Sequence, residues 1–166
     1  AFGSGFASGT NVLATAATLP LPTALNNVSV NVNGVAAPLF VVSVNTGGAF
    51  QINYQLPFET VTGLALVEVR NGESLVATEF LSVTSDAAGV FTNDASGRGQ
   101  AAALNQNFTF NNASRPAARG SFVIVYATGQ GGSLIDFTTH ELRRLSSGAA
   151  TPGDALYVTA VTPTVT

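Results

Sequence analysis

A chain of 166 residues, 46% of them hydrophobic, is long enough for one domain, or one domain and part of another, and is not a disordered polymer. Only 9% of it is charged, the net charge is −3, and its six basic residues are all Arg, with Arg143 and Arg144 the only adjacent pair. That excludes nucleic-acid binding by phosphate neutralisation and electrostatic attachment to an anionic membrane. The absence of Cys excludes disulfides and thiolate chemistry.

The charges are unevenly placed. The first is Glu59, and Leu145 to Thr166 carry only Asp154. Open strand edges pair with any available chain, and soluble proteins usually guard them with Lys, other charge or Pro. Undefended ends predict either a piece of a larger protein or a chain built to pair with its neighbours. Met is absent even at position 1, so the chain reads as processed or as a fragment, any signal peptide already gone. The most apolar run, Pro38 to Val44, is far short of the ~20 residues that span a bilayer.

Residues 1–25 are small and neutral and end in Leu19-Pro20-Leu21-Pro22, which favours an extended connection. Val28-Ser29-Val30-Asn31-Val32 alternates strictly, the mark of a half-buried strand. Asn33-Gly34 suits a tight I′ turn, and Ala36 to Val44 then pairs back as a mostly buried strand. Gln51 to Leu56 places Ile52, Tyr54 and Leu56 on one side. Leu64 to Val69 leads to Asn71-Gly72, the best hairpin signal in the chain, and on into Leu75 to Val83. These strands and the short turns between them fill residues 28–85, a spacing that indicates an antiparallel sandwich.

Residues 86–120 read as a long Asn- and Gly-rich loop with strand pieces near Ala101–Leu104 and Phe108–Phe110. Phe122-Val123-Ile124-Val125-Tyr126 is apolar on both faces and reads as a central strand. Leu134 to Leu145 leaves room for one or two helical turns. Leu156 to Thr166 reads as a last strand, with Tyr157, Val161 and Val165 on one face and Pro163 suited to an edge.

A series of ordered motifs then stands out: Leu19-Pro-Leu-Pro22, Val28-Ser-Val-Asn-Val-Asn-Gly-Val-Ala-Ala-Pro-Leu39, Gln51-Ile-Asn-Tyr-Gln-Leu-Pro57, Gly89-Val-Phe-Thr92, Gly99-Gln-Ala-Ala-Ala-Leu-Asn-Gln106, Pro116-Ala-Ala-Arg-Gly-Ser121 and Tyr126-Ala-Thr-Gly129. Over residues 1 to about 130 they resemble the Solibacter C-terminal domain, a family of secreted acidobacterial proteins without an established function. The resemblance implies tandem immunoglobulin-like β-sandwiches and an extracellular or cell-surface location. In that family a strand opens the first sandwich of which this chain keeps only Ala1-Phe2-Gly3-Ser4-Gly5. A second sandwich starts where this chain has Ser121 to Gly129.

The expected architecture is therefore an all-β, immunoglobulin-like antiparallel sandwich with a strand-rich C-terminal extension. Residues 1–90 form a sandwich lacking its opening strand, 91–120 a connection, and 121–166 an incomplete second sandwich and candidate donor segment. The expected function is a structural subunit of an extracellular filament or surface layer, assembling head-to-tail by strand complementation with other copies of itself. The expected interface residues are Phe122, Ile124 and Tyr126 as buried anchors, Tyr157, Val161 and Val165 on the last strand, and Phe2 and Phe6 beside the gap. The alternative is a carbohydrate-binding or adhesion module of a larger secreted protein.

Enzyme chemistry finds no support. His140 is the only His, so His140-Glu141 cannot be a His-Glu-x-x-His zinc helix, and an exposed loop residue is the expectation. No Ser sits in a Gly-x-Ser-x-Gly elbow, and no P-loop is present. Asp94-Ala-Ser-Gly97 lacks the alternating acids of a calcium loop. No catalytic, cofactor-binding or metal-binding residue is assigned, and no cofactor is expected. Asn27-Val-Ser29, Asn107-Phe-Thr109 and Asn112-Ala-Ser114 fit the N-glycosylation sequon.

Overall fold

A computed structural model describes residues 1–4, 11–85, 87–136, 138–150 and 157–159, the last three by backbone alone. Among them the regular structure is all β, and every strand pair of described register is antiparallel. The chain divides into two compact units, Ala1–Ser85 with Leu134–Val158, and Asp86–Ser133 with Thr159–Thr166. The division thus falls at residues 86 and 134, not at the expected 91 and 121.

The first unit contains β1 (Phe2–Ser4), β2 (Val12–Thr15), β3 (Ala24–Leu25), β4 (Val28–Val32), β5 (Val35–Ala36), β6 (Leu39–Val44), β7 (Ala49–Tyr54), β8 (Gly63–Asn71) and β9 (Ser74–Val83). Six of these lie in residues 28–85, the expected strand Ala36–Val44 being divided into β5 and β6. One sheet has the order β1-β7-β6-β2, the other β3-β4-β8-β9 with β5 also paired to β4. Their inward side chains meet in one apolar core: Val28, Val30 and Val32 of β4, Ala65, Val67 and Val69 of β8, and Leu39, Val42, Val44, Phe50 and Ile52 from the opposite sheet. Fully burying a Val or Ile side chain contributes about 1.5–3 kcal/mol.

The local chemistry sets the register. Asn33 and Gly34 both have positive φ, 49° and 79°, the I′ geometry that β4 and β5 require. Between β8 and β9, Asn71 pairs with Ser74, so the turn residues are Gly72 and Glu73, with Gly72 at φ 58°. In β6 the register shifts between Leu39 and Val41, which makes Phe40 an extra residue. That bulge lets Leu39 and then Val42 and Val44 all face the core, a phase change no uninterrupted alternation would give. The connection expected to be extended bends at residues 18–20, where the Leu19–Pro20 peptide is cis.

The second unit contains β10 (Gly89–Val90), β11 (Ala103–Asn105), β12 (Val123–Val125) and β13 (Ala127–Thr128), joined as two two-stranded ladders, β10-β13 and β11-β12. Gly129 holds the first ladder closed: a Cβ there would lie 1.8 Å from the Ala87 carbonyl oxygen.

The chain then returns to the first unit with β14 (Ser133–Asp136), β15 (Leu142–Arg144) and β16 (Tyr157–Thr159), in sheet order β15-β14-β16. A hairpin replaces the expected helical turns over Leu134–Leu145. Its cause is local: Asp136 Oδ1 accepts the N–H groups of Thr138 and Thr139 at 2.7 and 3.0 Å, and the Asp136 carbonyl accepts the His140 N–H. An Asp followed by Thr can cap a helix or close a turn with the same bonds. Downstream, a clasp fixes the segment to the sandwich. Ser147 Oγ accepts the Phe58 N–H and donates to Glu59 Oε2 at 2.7 Å. Gly148 donates its N–H to Gln55 Oε1 and accepts the Leu21 N–H.

Candidate functional site

The segment expected to be a central strand has one neighbour among the described residues. β12 pairs only with β11, in the register Ala103↔Val125, Leu104↔Ile124 and Asn105↔Val123. The register of hydrogen bonds follows from the residues beyond β11. Asn105 donates its N–H to Thr109 O, and Ala103 O accepts the Asn111 N–H, so both turn their backbone groups away from β12. The bonded pair is therefore Leu104 with Ile124, and the N–H and C=O groups of Val123 and Val125 point to the outer edge. That edge carries no charge and no Pro.

The faces of this ladder are open as well. Leu104 pairs across to Ile124 on one side and bridges Phe110 on the other, so these three side chains form a row on one face. Phe122, two residues before Ile124, falls on the same face by alternation. Phe110 is 63% exposed, Phe122 57% and Tyr126 49%, while Leu104 and Ile124 are half-buried. The strand expected to be central is thus an edge among the described residues, and Phe122 and Tyr126, expected as buried anchors of an assembly, are exposed in the single chain. An apolar run on both faces signals a strand covered twice, but the described residues of this unit do not cover it: Ala103 and Asn105 are the only buried ones among them.

Asn105, 9% exposed, organises the unit in place of an apolar core. Its Nδ2 donates to Thr109 Oγ1 and to the Arg115 carbonyl, and its Oδ1 accepts from Asn111 Nδ2 at 2.8 Å. Side-chain-to-backbone turns surround it. Asn107 Oδ1 accepts from the N–H and hydroxyl of Thr109, and Asn112 Oδ1 from the N–H and hydroxyl of Ser114. Asp94 accepts both from Ser96, and these bonds hold its carboxyl below the ordinary range, the Ser96 hydroxyl first. An open recess of about 540 Å³ is lined by Asn105, Gln106, Asn107, Pro116, Ala118 and Ser121.

Of the other expected interface residues, two fall within the described residues, Phe2 and Tyr157. Phe2 is 80% exposed on β1, an outer strand of its sheet. Tyr157 opens β16, described by backbone alone. Phe6, Val161 and Val165 lie outside the described residues. A long second edge, β9, escaped the reading of the sequence. Leu66 directs both its backbone groups to Asn33, so its partner Phe80 directs its own outward. Glu79 Oε1 accepts the Phe80 N–H at 2.9 Å. A carboxylate on an outer strand guards it, and β12 has no such guard. Leu104 and Phe110 were also missed; the alternation of Phe108 and Phe110 was their only signal.

His140 is an exposed residue at positive φ in the β14–β15 turn. Among the described residues no three His, Asp or Glu side chains are grouped to hold a metal ion, and no helix is long and apolar enough to cross a membrane. No family model matches the chain, and neither a curated protein nor a solved structure matches it.

Proposed function

We propose that this chain is a structural subunit of an extracellular filament or surface layer, and that it assembles with copies of itself by strand complementation. The observation that carries this reading is the β12 edge: outward backbone groups at Val123 and Val125, beside the exposed row of Phe110, Leu104, Ile124 and Phe122. An added strand would pair with those groups while its side chains cover the row. The resemblance to the Solibacter C-terminal domain supports the extracellular placement and an immunoglobulin-like sandwich.

Val125→Pro tests it directly. Proline removes an N–H that has no partner among the described residues, so the isolated fold should persist by circular dichroism. Sedimentation velocity of the unaltered chain should show concentration-dependent growth, and Val125→Pro should abolish it. An unaltered chain that stays monomeric at millimolar concentration would overturn the proposal.

The alternative, a carbohydrate-binding module, draws on the amide-lined recess. Most of those polar groups already bond internally: Asn105 to Thr109, Arg115 and Asn111, and Ser121 Oγ to the Ala118 carbonyl. Binding to a glycan array, lost in Gln106→Ala, would favour that reading instead.

A further inference from the structure

The three sequons look alike in sequence and differ in the fold. Asn107 and Asn112 are exposed, and each occupies the same compact turn. In the first, Oδ1 accepts the Thr109 hydroxyl at 2.7 Å and the Thr109 N–H at 3.2 Å. In the second, Oδ1 accepts the Ser114 hydroxyl at 2.8 Å and the Ser114 N–H at 3.0 Å. In both, the carboxamide oxygen is engaged and the nitrogen, Nδ2, has no partner among the described residues. The Asn and its hydroxyl residue are thus displayed together on one exposed turn.

Asn27 is held differently. Its Nδ2 donates to Asn71 Oδ1 at 3.0 Å. It also lies close to Gly72, where an added Cβ would be only 2.9 Å from that nitrogen. The Asn27 carbonyl accepts the Gly72 N–H, and Ser29, the hydroxyl residue of this sequon, is committed to β4 opposite Arg70. Its carboxamide nitrogen is tied to the neighbouring hairpin.

We propose that Asn107 and Asn112 are acceptor sites for an N-linked glycan in the folded protein, and that Asn27 is not. The co-reactant is an oligosaccharide carried on a polyprenyl pyrophosphate, with an oligosaccharyltransferase. Asn Nδ2 attacks the anomeric carbon of the first sugar. The N–C bond forms, the bond from that carbon to the pyrophosphate oxygen breaks, and the electron pair leaves with the pyrophosphate. One Nδ2 proton passes to a base of the transferase. The consequence suits the composition: a hydrophilic glycan beside the exposed Phe108 would supply cover that a chain with 9% charge lacks. The proposal does not depend on the assembly reading.

The test is transfer in vitro to the folded chain, using purified oligosaccharyltransferase and its lipid-linked oligosaccharide, read by intact mass and peptide mapping. Synthetic peptides spanning each sequon run in parallel. The expected result is one added glycan at each of Asn107 and Asn112 and at least tenfold lower occupancy at Asn27, while the three peptides accept alike. Folded chain modified equally at Asn27 would overturn the proposal. So would peptides of Asn107 and Asn112 that accept while the folded sites do not, or peptides that fail to accept at all.

Discussion

Residues 1–85 and residues 86–133 solve the same problem with different materials. The first stretch packs two sheets over thirteen buried apolar side chains. The second buries an alanine and an asparagine among its described residues and leaves Phe91, Phe108, Phe110, Phe122 and Tyr126 largely in solvent. Apolar burial is non-directional and scales with area, so the first can be stable by itself. Hydrogen bonds exchange against water and leave only about 0.5–1.5 kcal/mol each. A unit built on an Asn network therefore holds a shape without much reserve, and its described aromatic side chains stay exposed.

The contrast is broken most directly by truncating one residue in each part. Ile52 is fully buried, so Ile52→Ala should cost about 2–5 kcal/mol in urea unfolding of the monomer. Ile124→Ala, at a half-buried position, should cost the monomer on the order of 1 kcal/mol. Equal losses would mean that β12 is buried after all. Next comes Asn105→Leu, which strands Asn111 and the Arg115 carbonyl and should cost about 1–3 kcal/mol. Hydrogen exchange should quicken at Thr109 and Asn111 and stay unchanged in β4 and β8. Faster exchange throughout would show that the polar network supports both units.

A smaller effect is expected at the clasp. Ser147→Ala leaves the Phe58 N–H without its acceptor and Glu59 without its donor, at about 0.5–1.5 kcal/mol. Trypsin should then cut after Arg143 or Arg144 sooner, with the cut after Arg98 unaffected. An unchanged pattern would mean that the Gly148 bonds to Gln55 and Leu21, with the β14–β16 sheet, suffice to return the chain to the sandwich.

The same division governs what could be read from the sequence. Alternating Val in β4, the Asn33-Gly34 turn and the Ile52–Tyr54–Leu56 stripe are local patterns whose period reveals the buried face, and the all-β class followed from them. The Phe40 bulge was not legible, because it is fixed by the register against β7 and not by any residue in β6. A strand was found within Phe122 to Tyr126, yet it was placed as central where it has one neighbour among the described residues: periodicity reports which faces are apolar, and says nothing of which strands lie beside them. Asn105 gave no signal among so many Asn. The β14–β15 hairpin was read as helical turns because Asp136 with Thr138 serves either outcome.

The finest probe of the polar unit is Asp94. Its carboxyl is fully exposed and hydrogen bonds dominate its acidity; the Ser96 hydroxyl does most, then the Ser96 N–H and the Thr92 hydroxyl. Its folded pKa lies below the ordinary 3.8, so the folded turn prefers the carboxylate. The resulting stabilisation is present above that ordinary value and is lost as pH falls through the lowered one. Carbon-detected NMR titration should place Asp94 below its ordinary value, and Ser96→Ala should raise it towards that value. If Ser96→Ala leaves the titration unmoved, the turn around residues 94–98 is held by its backbone, and the side-chain network that distinguishes this unit does not extend so far from Asn105.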